Sequence, residues 1–247
     1  MLAFLFPGQG SQRVGMGKAL MEASAECRMT FEEADSILGV SLSRICVDGP
    51  EEQLTLTENA QPAILTTSIA AYRFVLAQGL QPDFVAGHSL GEYSAHVAAG
   101  TLSFADAIMT VRERGRFMQE AVPVGVGSMA AILGLDAEVV MQVCKDVANG
   151  AVVAPANLNA PGQVVIAGER EAVGRATTEA RERGAKRVIP LPVSAPFHCA
   201  LMQPAADRLV PILQRVNVAN PRIPVVANVD AKAKTDGLSA IEALIRQ

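Results

Sequence analysis

Histidine is scarce in this chain, three residues in 247, and cysteine nearly as scarce, with four. Cys27, Cys46, Cys144 and Cys199 stand far apart and form no Cys-x-x-Cys pair. That spacing excludes a structural zinc site and suits a reduced, cytoplasmic enzyme that binds no metal. No apolar run approaches the roughly 20 residues that a membrane span needs. The opening run Leu2 to Phe6 is too short for a signal peptide and has no basic flank. Excess positive charge is missing too: 21 Lys and Arg stand against 25 Asp and Glu, a net charge of −4. A nucleic-acid partner is therefore not expected, although local basic patches remain possible. Two nucleotide-binding patterns also fail. Pro7-Gly8-Gln9-Gly10-Ser11-Gln12 follows a short strand, but a dinucleotide fingerprint requires glycine where Arg13 stands. A phosphate loop fails because position 12 is Gln and Lys18 is followed by Ala19.

What is present is apolar substance. Half of the residues are hydrophobic, enough for a sizeable core in one large domain or in one domain with a small insertion. Leu2 to Phe6 reads as a buried strand and Met16 to Leu38 as a helix stopped by Gly39. Ser41 to Leu56 reads as short helical pieces. Asn59 is expected to cap a long helix to Gln78, with Pro62 in its first turn. Ser103 is expected to cap another, Phe104 to about Ala121. From Gly127 to Val193 the pattern becomes strand, helix, strand, strand, helix, strand, the ferredoxin-like order. Leu201 to Val216 then reads as a helix, Pro224 to Asn228 as a strand and Leu238 to Arg246 as a closing helix. The fold class expected is α/β. Residues 1–126 and 194–247 form the larger α/β domain, and residues 127–193 an inserted ferredoxin-like α+β subdomain.

The chemistry is concentrated in Phe84-Val85-Ala86-Gly87-His88-Ser89-Leu90-Gly91-Glu92-Tyr93. A short apolar strand runs into Gly-x-Ser-x-Gly, and a helix follows until Gly100, which is the pattern of a nucleophile elbow. The two glycines belong to a turn too tight for a Cβ, and the serine is exposed at a helix start, where free N–H groups favour developing negative charge. Ser89 then needs a base. His88 is its neighbour in a sharp turn, where adjacent side chains point apart. His96 lies seven residues along the same helix, roughly 10 Å down the axis. Elimination leaves His198, in Val193-Ser194-Ala195-Pro196-Phe197-His198-Cys199, where the chain would return from the insertion. Asp106, Asp136 and Asp146 lie between serine and histidine, yet none is well placed as a third triad member. A backbone carbonyl orienting His198 is at least as plausible.

In Val111 to Met118, Arg114 shares its helix face with Ala107, Thr110, Val111, Phe117 and Met118, while Arg112 and Arg116 point elsewhere. An arginine on an apolar face needs a partner. Either it meets an internal carboxylate such as Glu92 or Glu120, or it awaits one on a ligand, matched to its planar fork.

Gly8-Gln9-Gly10-Ser11-Gln12, the Ser89 elbow, Arg114, Asn157-x-Asn159-x-Pro161-Gly162-Gln163 and Phe197-His198 together resemble the malonyl-CoA:acyl carrier protein transacylase family, in order from Leu2 to the last residue. The resemblance implies an α/β-hydrolase-like core with a parallel sheet and a ferredoxin-like insertion. It implies Ser89 as nucleophile, His198 as acid and base, backbone N–H groups of Gln9 and Leu90 as oxyanion hole, and Arg114 as clamp for the malonate carboxylate. The carbonyl that orients the histidine would fall at Gln247, and Met118, Phe197, Gln61 and Asn159 would line the acyl pocket. Phe197 before the histidine looks like the malonyl-type variant of that motif. Family members continue for some dozens of residues past this point, adding a strand and helices. With Gln247 as terminus, the orienting carbonyl would be a carboxylate.

The activity so implied is transfer of malonyl from malonyl-CoA to the phosphopantetheine thiol of acyl carrier protein, in fatty-acid biosynthesis. It would run through a malonyl-serine intermediate, with no cofactor, in a cytoplasmic monomer. Alternatives are a serine esterase or thioesterase, which needs no Arg114, and a non-catalytic carrier-binding fragment. Arg181, Arg183, Lys186 and Arg187 would be a docking face for acidic carrier protein, although a solvated helix end is the plainer reading.

Overall fold

The structure, a computed structural model, describes residues 1–123, 125–191, 193 and 195–247. Val124, Pro192 and Ser194 lie outside the described residues; Ser194 is where the sequence reading opens the second core segment. The first elements are β1 (Ala3–Phe6), α1 (Lys18–Ala23), α2 (Ala25–Leu38), α3 (Leu42–Asp48), α4 (Glu51–Thr55) and α5 (Thr57–Ala77). There follow β2 (Phe84–Gly87), α6 (Leu90–Ala99), α7 (Phe104–Ala121), β3 (Gly127–Leu133), α8 (Ala137–Val147), β4 (Val153–Ala160) and β5 (Gln163–Glu169). The last are α9 (Arg170–Glu182), β6 (Arg187–Pro190), α10 (Gln203–Leu213), β7 (Val225–Val226), β8 (Ala233–Lys234) and α11 (Gly237–Arg246). Two compact units emerge: Met1–Arg116 with Leu209–Gln247, and Phe117–Arg208.

In the first unit the sheet order is β1-β2-β7-β8, with β1, β2 and β7 parallel and β8 antiparallel at the edge. Phe6, Val85 and Val225 pack on Ala95, Ala98 and Ala99 of α6, whose small residues let the helix lie close to the strands. A larger helical core gathers Phe31, Leu42, Leu54, Leu65, Ile69, Ile108 and Leu213. Each such side chain contributes about 1.5–3 kcal/mol by leaving water.

Local boundaries depart from expectation for physical reasons. Met16 to Leu38 is two helices, because Ser24 is extended and its hydroxyl accepts from the Cys27 N–H, restarting the helix as α2. Asn59 is no cap. Its carboxamide donates to the Gln53 carbonyl at 2.8 Å and accepts from Arg112, so tertiary partners take the atoms that a cap would use. The helix therefore begins at Thr57, and Pro62 falls in its second turn. Proline has no N–H to offer the Glu58 carbonyl; Arg112 Nη1 donates to that oxygen at 3.2 Å instead. Ser103 does cap α7, accepting from the Asp106 N–H at 2.9 Å while donating to the Asp106 carboxylate at 2.7 Å. The strand expected over 224–228 is only Val225–Val226, and Asn228 lies in the turn beyond it.

In the second unit β3, β4, β5 and β6 form an antiparallel sheet of order β4-β5-β3-β6, with α8 after β3 and α9 after β5, the ferredoxin-like arrangement. Strand β4 is longer than its apolar run Val152-Val153-Ala154 suggests, reaching Ala160 through two register shifts. Ile132, Val140, Val143, Val164, Ile166 and Val173 fill its core.

Candidate active site

The carboxyl ends of parallel strands are where α/β folds place ligands, and Ser89 follows the end of β2. Close packing builds this turn. A Cβ on Gly87 would sit 1.9 Å from the Gly91 carbonyl carbon, and one on Gly91 2.2 Å from the Phe6 carbonyl oxygen. Glycine at both positions lets α6 start against β1 and turn back sharply. Between them Ser89 takes φ 52° and ψ −107°, a sparsely populated conformation for a residue with a side chain. His198 also has positive φ, 57°. Both residues singled out by sequence thus carry the backbone strain that gathers at functional positions.

Leu90 is the first residue of α6, so its N–H belongs to the helix's first turn, without an intrahelical acceptor. The loop after β1 lies against the elbow: a Cβ on Gly8 would be 2.4 Å from the His88 carbonyl oxygen. Gln9 follows Gly8 in that loop, and its side chain donates to Thr57 Oγ1 at 3.2 Å.

Arg114 reaches the elbow from α7 and is 6% exposed. Nη1 donates to Gln61 Oε1 at 2.9 Å. Nη2 donates to Ser89 Oγ at 3.1 Å and to Gln247 Oε1 at 3.2 Å. The guanidinium also lies over the Tyr93 ring, 5.5 Å from its centroid. Among the described residues no direct ion pair forms at this cation: its hydrogen bonds go to two side-chain amides and a hydroxyl, and it lies over a ring, while Glu92 acts on it from further away. Glu120 pairs with Arg208 at 2.6 Å instead. Burial pushes the Arg114 pKa down from its ordinary value, and nearby Tyr93 and Glu92 oppose that shift.

Glu92, fully buried, organises the second layer of the site. Its Oε2 accepts from Gln247 Nε2 at 2.8 Å and from the Asn228 N–H at 2.9 Å, while Oε1 lies 3.9 Å from His96 Nε2. Gln247 Nε2 also donates to the Ser89 carbonyl at 3.2 Å. Sequence reasoning reached Gln247 through its backbone and missed its side chain, which touches Arg114, Ser89 and Glu92. Asn228 was missed altogether, read only as the end of a strand. The one signal was a carboxamide directly after the apolar run Val225-Val226-Ala227.

The first unit therefore brings together Ser89, Leu90, Gln61, Arg114 and Gln247, with Gln9 in the adjacent loop. The second unit holds His198, Phe197, Met118 and Asn159. Phe197 and Met118 are buried, His198 is partly exposed just before the 3₁₀ turn Ala200–Met202, and Asn159 is exposed on β4. Of the three aspartates between serine and histidine, Asp106 bonds Ser103 and Asp146 pairs with Arg183 at 2.5 Å, while Asp136 stands at the N-terminus of α8 without a side-chain cap hydrogen bond. Arg183 is likewise tied to Glu179 at 2.7 Å. Among the described residues no group of three or more His, Cys, Asp and Glu is arranged to hold a metal ion. Nor is any helix among them long and apolar enough to cross a membrane.

Residues 3–242 match the acyl transferase domain family. The chain is 54% identical over 247 residues to the malonyl CoA-acyl carrier protein transacylase of Bacillus subtilis, covering all of this chain and 78% of that protein. It is 52% identical to the Escherichia coli K12 protein of the same name, covering 99% of this chain and 80% of that one. Among solved structures, an acyl carrier protein S-malonyltransferase from Vibrio cholerae superposes with a TM-score of 0.95 at 52% identity, over 99% of this chain and 80% of that one. A malonyl-transacylase solved in complex with a type II polyketide-synthase acyl carrier protein has a TM-score of 0.96 at 49% identity, over 99% of this chain and 79% of that one. The chain belongs to the acyl transferase family, in its malonyl-CoA:acyl carrier protein transacylase branch.

Proposed function

We propose that the chain moves a malonyl group from malonyl-CoA to the phosphopantetheine thiol of acyl carrier protein by way of an ester on Ser89, in fatty-acid biosynthesis. The observation that carries this reading is Arg114: a buried guanidinium 3.1 Å from Ser89 Oγ whose direct partners are all neutral. A buried cation with no carboxylate directly bonded to it is costly, and Glu92 reaches it only through Gln247. A ligand that brings its own carboxylate beside the acylated serine relieves that cost, and malonyl is such a ligand. The names of the relatives agree with it.

His198 takes the Ser89 proton as Oγ attacks the thioester carbonyl. The backbone N–H groups of Leu90 and Gln9 receive the oxyanion, each contributing about 3 kcal/mol. The carbon–sulfur bond breaks, and coenzyme A leaves with the proton from His198. The carrier thiol then gives its proton to His198 and attacks the malonyl ester; Ser89 recovers the proton as the malonyl thioester of carrier protein departs. The Gln247 carbonyl orients His198, and Phe197, Met118, Gln61 and Asn159 shape the acyl pocket. The reaction needs only these groups and two substrates, in a monomeric cytoplasmic protein with no cofactor.

The test pairs malonyl-CoA with acetyl-CoA. Intact-mass spectrometry after brief exposure should find one malonyl adduct on the parent chain and none on Ser89→Ala. Taking an effective dielectric of about 20 and a separation of about 4 Å, the Arg114–carboxylate attraction is about 4 kcal/mol. Arg114→Ala should therefore lose malonyl loading by roughly 10²- to 10³-fold relative to acetyl loading. An equal loss with both thioesters would leave Arg114 as structural support only. Absence of any adduct on the parent would remove the acyl-transfer reading.

A further inference from the structure

We propose that Asn228 is a positioning residue for the proposed nucleophile: its carboxamide clips the elbow so that Ser89 stays in its strained conformation. The clip has two arms. Asn228 Oδ1 accepts from the Ser89 N–H at 2.7 Å, and Nδ2 donates to the Gly87 carbonyl at 2.6 Å. One planar group thus ties the last residue of β2 to the serine two positions later, across the sharpest part of the turn. At φ 52° and ψ −107° the serine would relax toward an ordinary backbone conformation unless its surroundings held it.

The clip is itself anchored. The Asn228 N–H donates to Glu92 Oε2 at 2.9 Å, and Glu92 is fully buried in the first turn of α6. Sheet register explains why Asn228 arrives there. Val225 and Val226 pair in parallel with Val85 and Ala86, so the residue two beyond Val226 stands beside the residues just beyond Gly87. A carboxamide supplies one acceptor and one donor in a single plane whatever the pH, which matches the Ser89 N–H and the Gly87 carbonyl. Asn228 is also solvent-exposed, so it is not held there to fill the core. Its three hydrogen bonds all go to the elbow or to the carboxylate behind it.

The proposal rests on Ser89 being the acylated residue, and the experiment separates the two. Single-turnover malonyl loading is followed by rapid quench and intact-mass spectrometry for the parent, Asn228→Ala and Asn228→Asp. With the clip removed, Ser89 Oγ drifts from its place near Arg114, and a displacement on the order of 1 Å costs about 10²-fold in rate. Asn228→Ala should load 10- to 100-fold more slowly than the parent, with KM for malonyl-CoA unchanged within twofold and every molecule eventually acylated. Asn228→Asp keeps the acceptor but sets a carboxylate oxygen against the Gly87 carbonyl, so at neutral pH it should be at least as slow as Asn228→Ala. A variant population in which only a fraction loads, at the parent rate, would overturn the proposal in favour of a merely structural role. A KM raised fivefold or more with the maximal rate kept would overturn it in favour of substrate contact. Parent-like loading of either variant would overturn it outright. A parent that forms no adduct sinks the acyl-transfer reading itself.

Discussion

Gly91→Ala offers a quantitative test of the idea that close packing poises Ser89. The added methyl would lie 2.2 Å from the Phe6 carbonyl oxygen and 2.8 Å from both the Phe6 carbonyl carbon and the Pro7 oxygen. Comfortable contacts begin near 3.5 Å, so relief needs roughly 1 Å of backbone movement between α6 and β1. None of these neighbours is a flexible side chain that could swing aside. The Phe6 oxygen also accepts from the His88 N–H at 3.0 Å, so the displacement passes directly into the elbow. Overpacking of this kind costs about 1–3 kcal/mol, and each kcal/mol lowers Tm by about 2–4 °C in a chain of this size. Misplacing the proposed nucleophile by the same roughly 1 Å should slow its acylation about 10²-fold. Gly100→Ala is the control. Gly100 closes the other end of α6 at φ 76°, where alanine costs about 1–2 kcal/mol, and the nearest atoms to its methyl would be the far end of the long Arg222 side chain. Differential scanning fluorimetry should show comparable losses of Tm for the two variants. Single-turnover malonyl loading should separate them, with Gly100→Ala within twofold of the parent. If Gly91→Ala loads as fast as Gly100→Ala, the packing argument for the elbow is wrong.

Two further outcomes are expected. Burial, with Asp35 adding to it, pushes the Cys46 thiol up to about 12, and burial pushes Cys144 up to about 11; Cys199, raised by burial as well, is only partly covered. Alkylation of the native chain at pH 8 should label Cys199 first, with Cys46 and Cys144 labelled only in denaturant, and early labelling of either would contradict their burial. Asp236 caps α11, and hydrogen bonds from the Ser239 hydroxyl and N–H hold its carboxyl below the ordinary range. A lowered folded-state pKa means its contribution is present above the unfolded value, near 3.9, and is lost as pH falls through the folded value. The Tm deficit of Asp236→Ala should thus be full at pH 7 and shrink toward pH 3; a gap independent of pH would show that the charge is idle.

The elbow was legible because its determinants are local. Two glycines, a serine and a short apolar strand sit within eight residues, and the close approaches that demand those glycines involve that same turn and β1. Arg114 was legible as an anomaly, a cation on an apolar helix face, but spacing left its partner open. Whether a carboxylate bonded it directly depended on α5, α6 and residue 247, distant in sequence; the groups that bond it are neutral, and Glu92 stands behind them. Asn59 misled because a polar residue ahead of an apolar run looks the same whether it caps the helix or meets Arg112 from α7. Asn228 stayed invisible because its role follows from parallel pairing of β7 with β2, across more than a hundred residues of chain.

Periodicity, glycine placement and the Gly-x-Ser-x-Gly turn thus determined by themselves the α/β class, the ferredoxin-like order of strands and helices from 127 onward, and the serine on which the chemistry is proposed. These are decided by spacings shorter than a helix or by the pattern of successive elements. Tertiary structure alone decided what surrounds that serine: the neutral shell of Arg114, the buried Glu92 beneath it, and the carboxamides of Gln247 and Asn228 on either side. Hydrogen bonds require atoms within about 3 Å, and only the folded sheet and its packed helices bring residues so far apart in sequence to that distance.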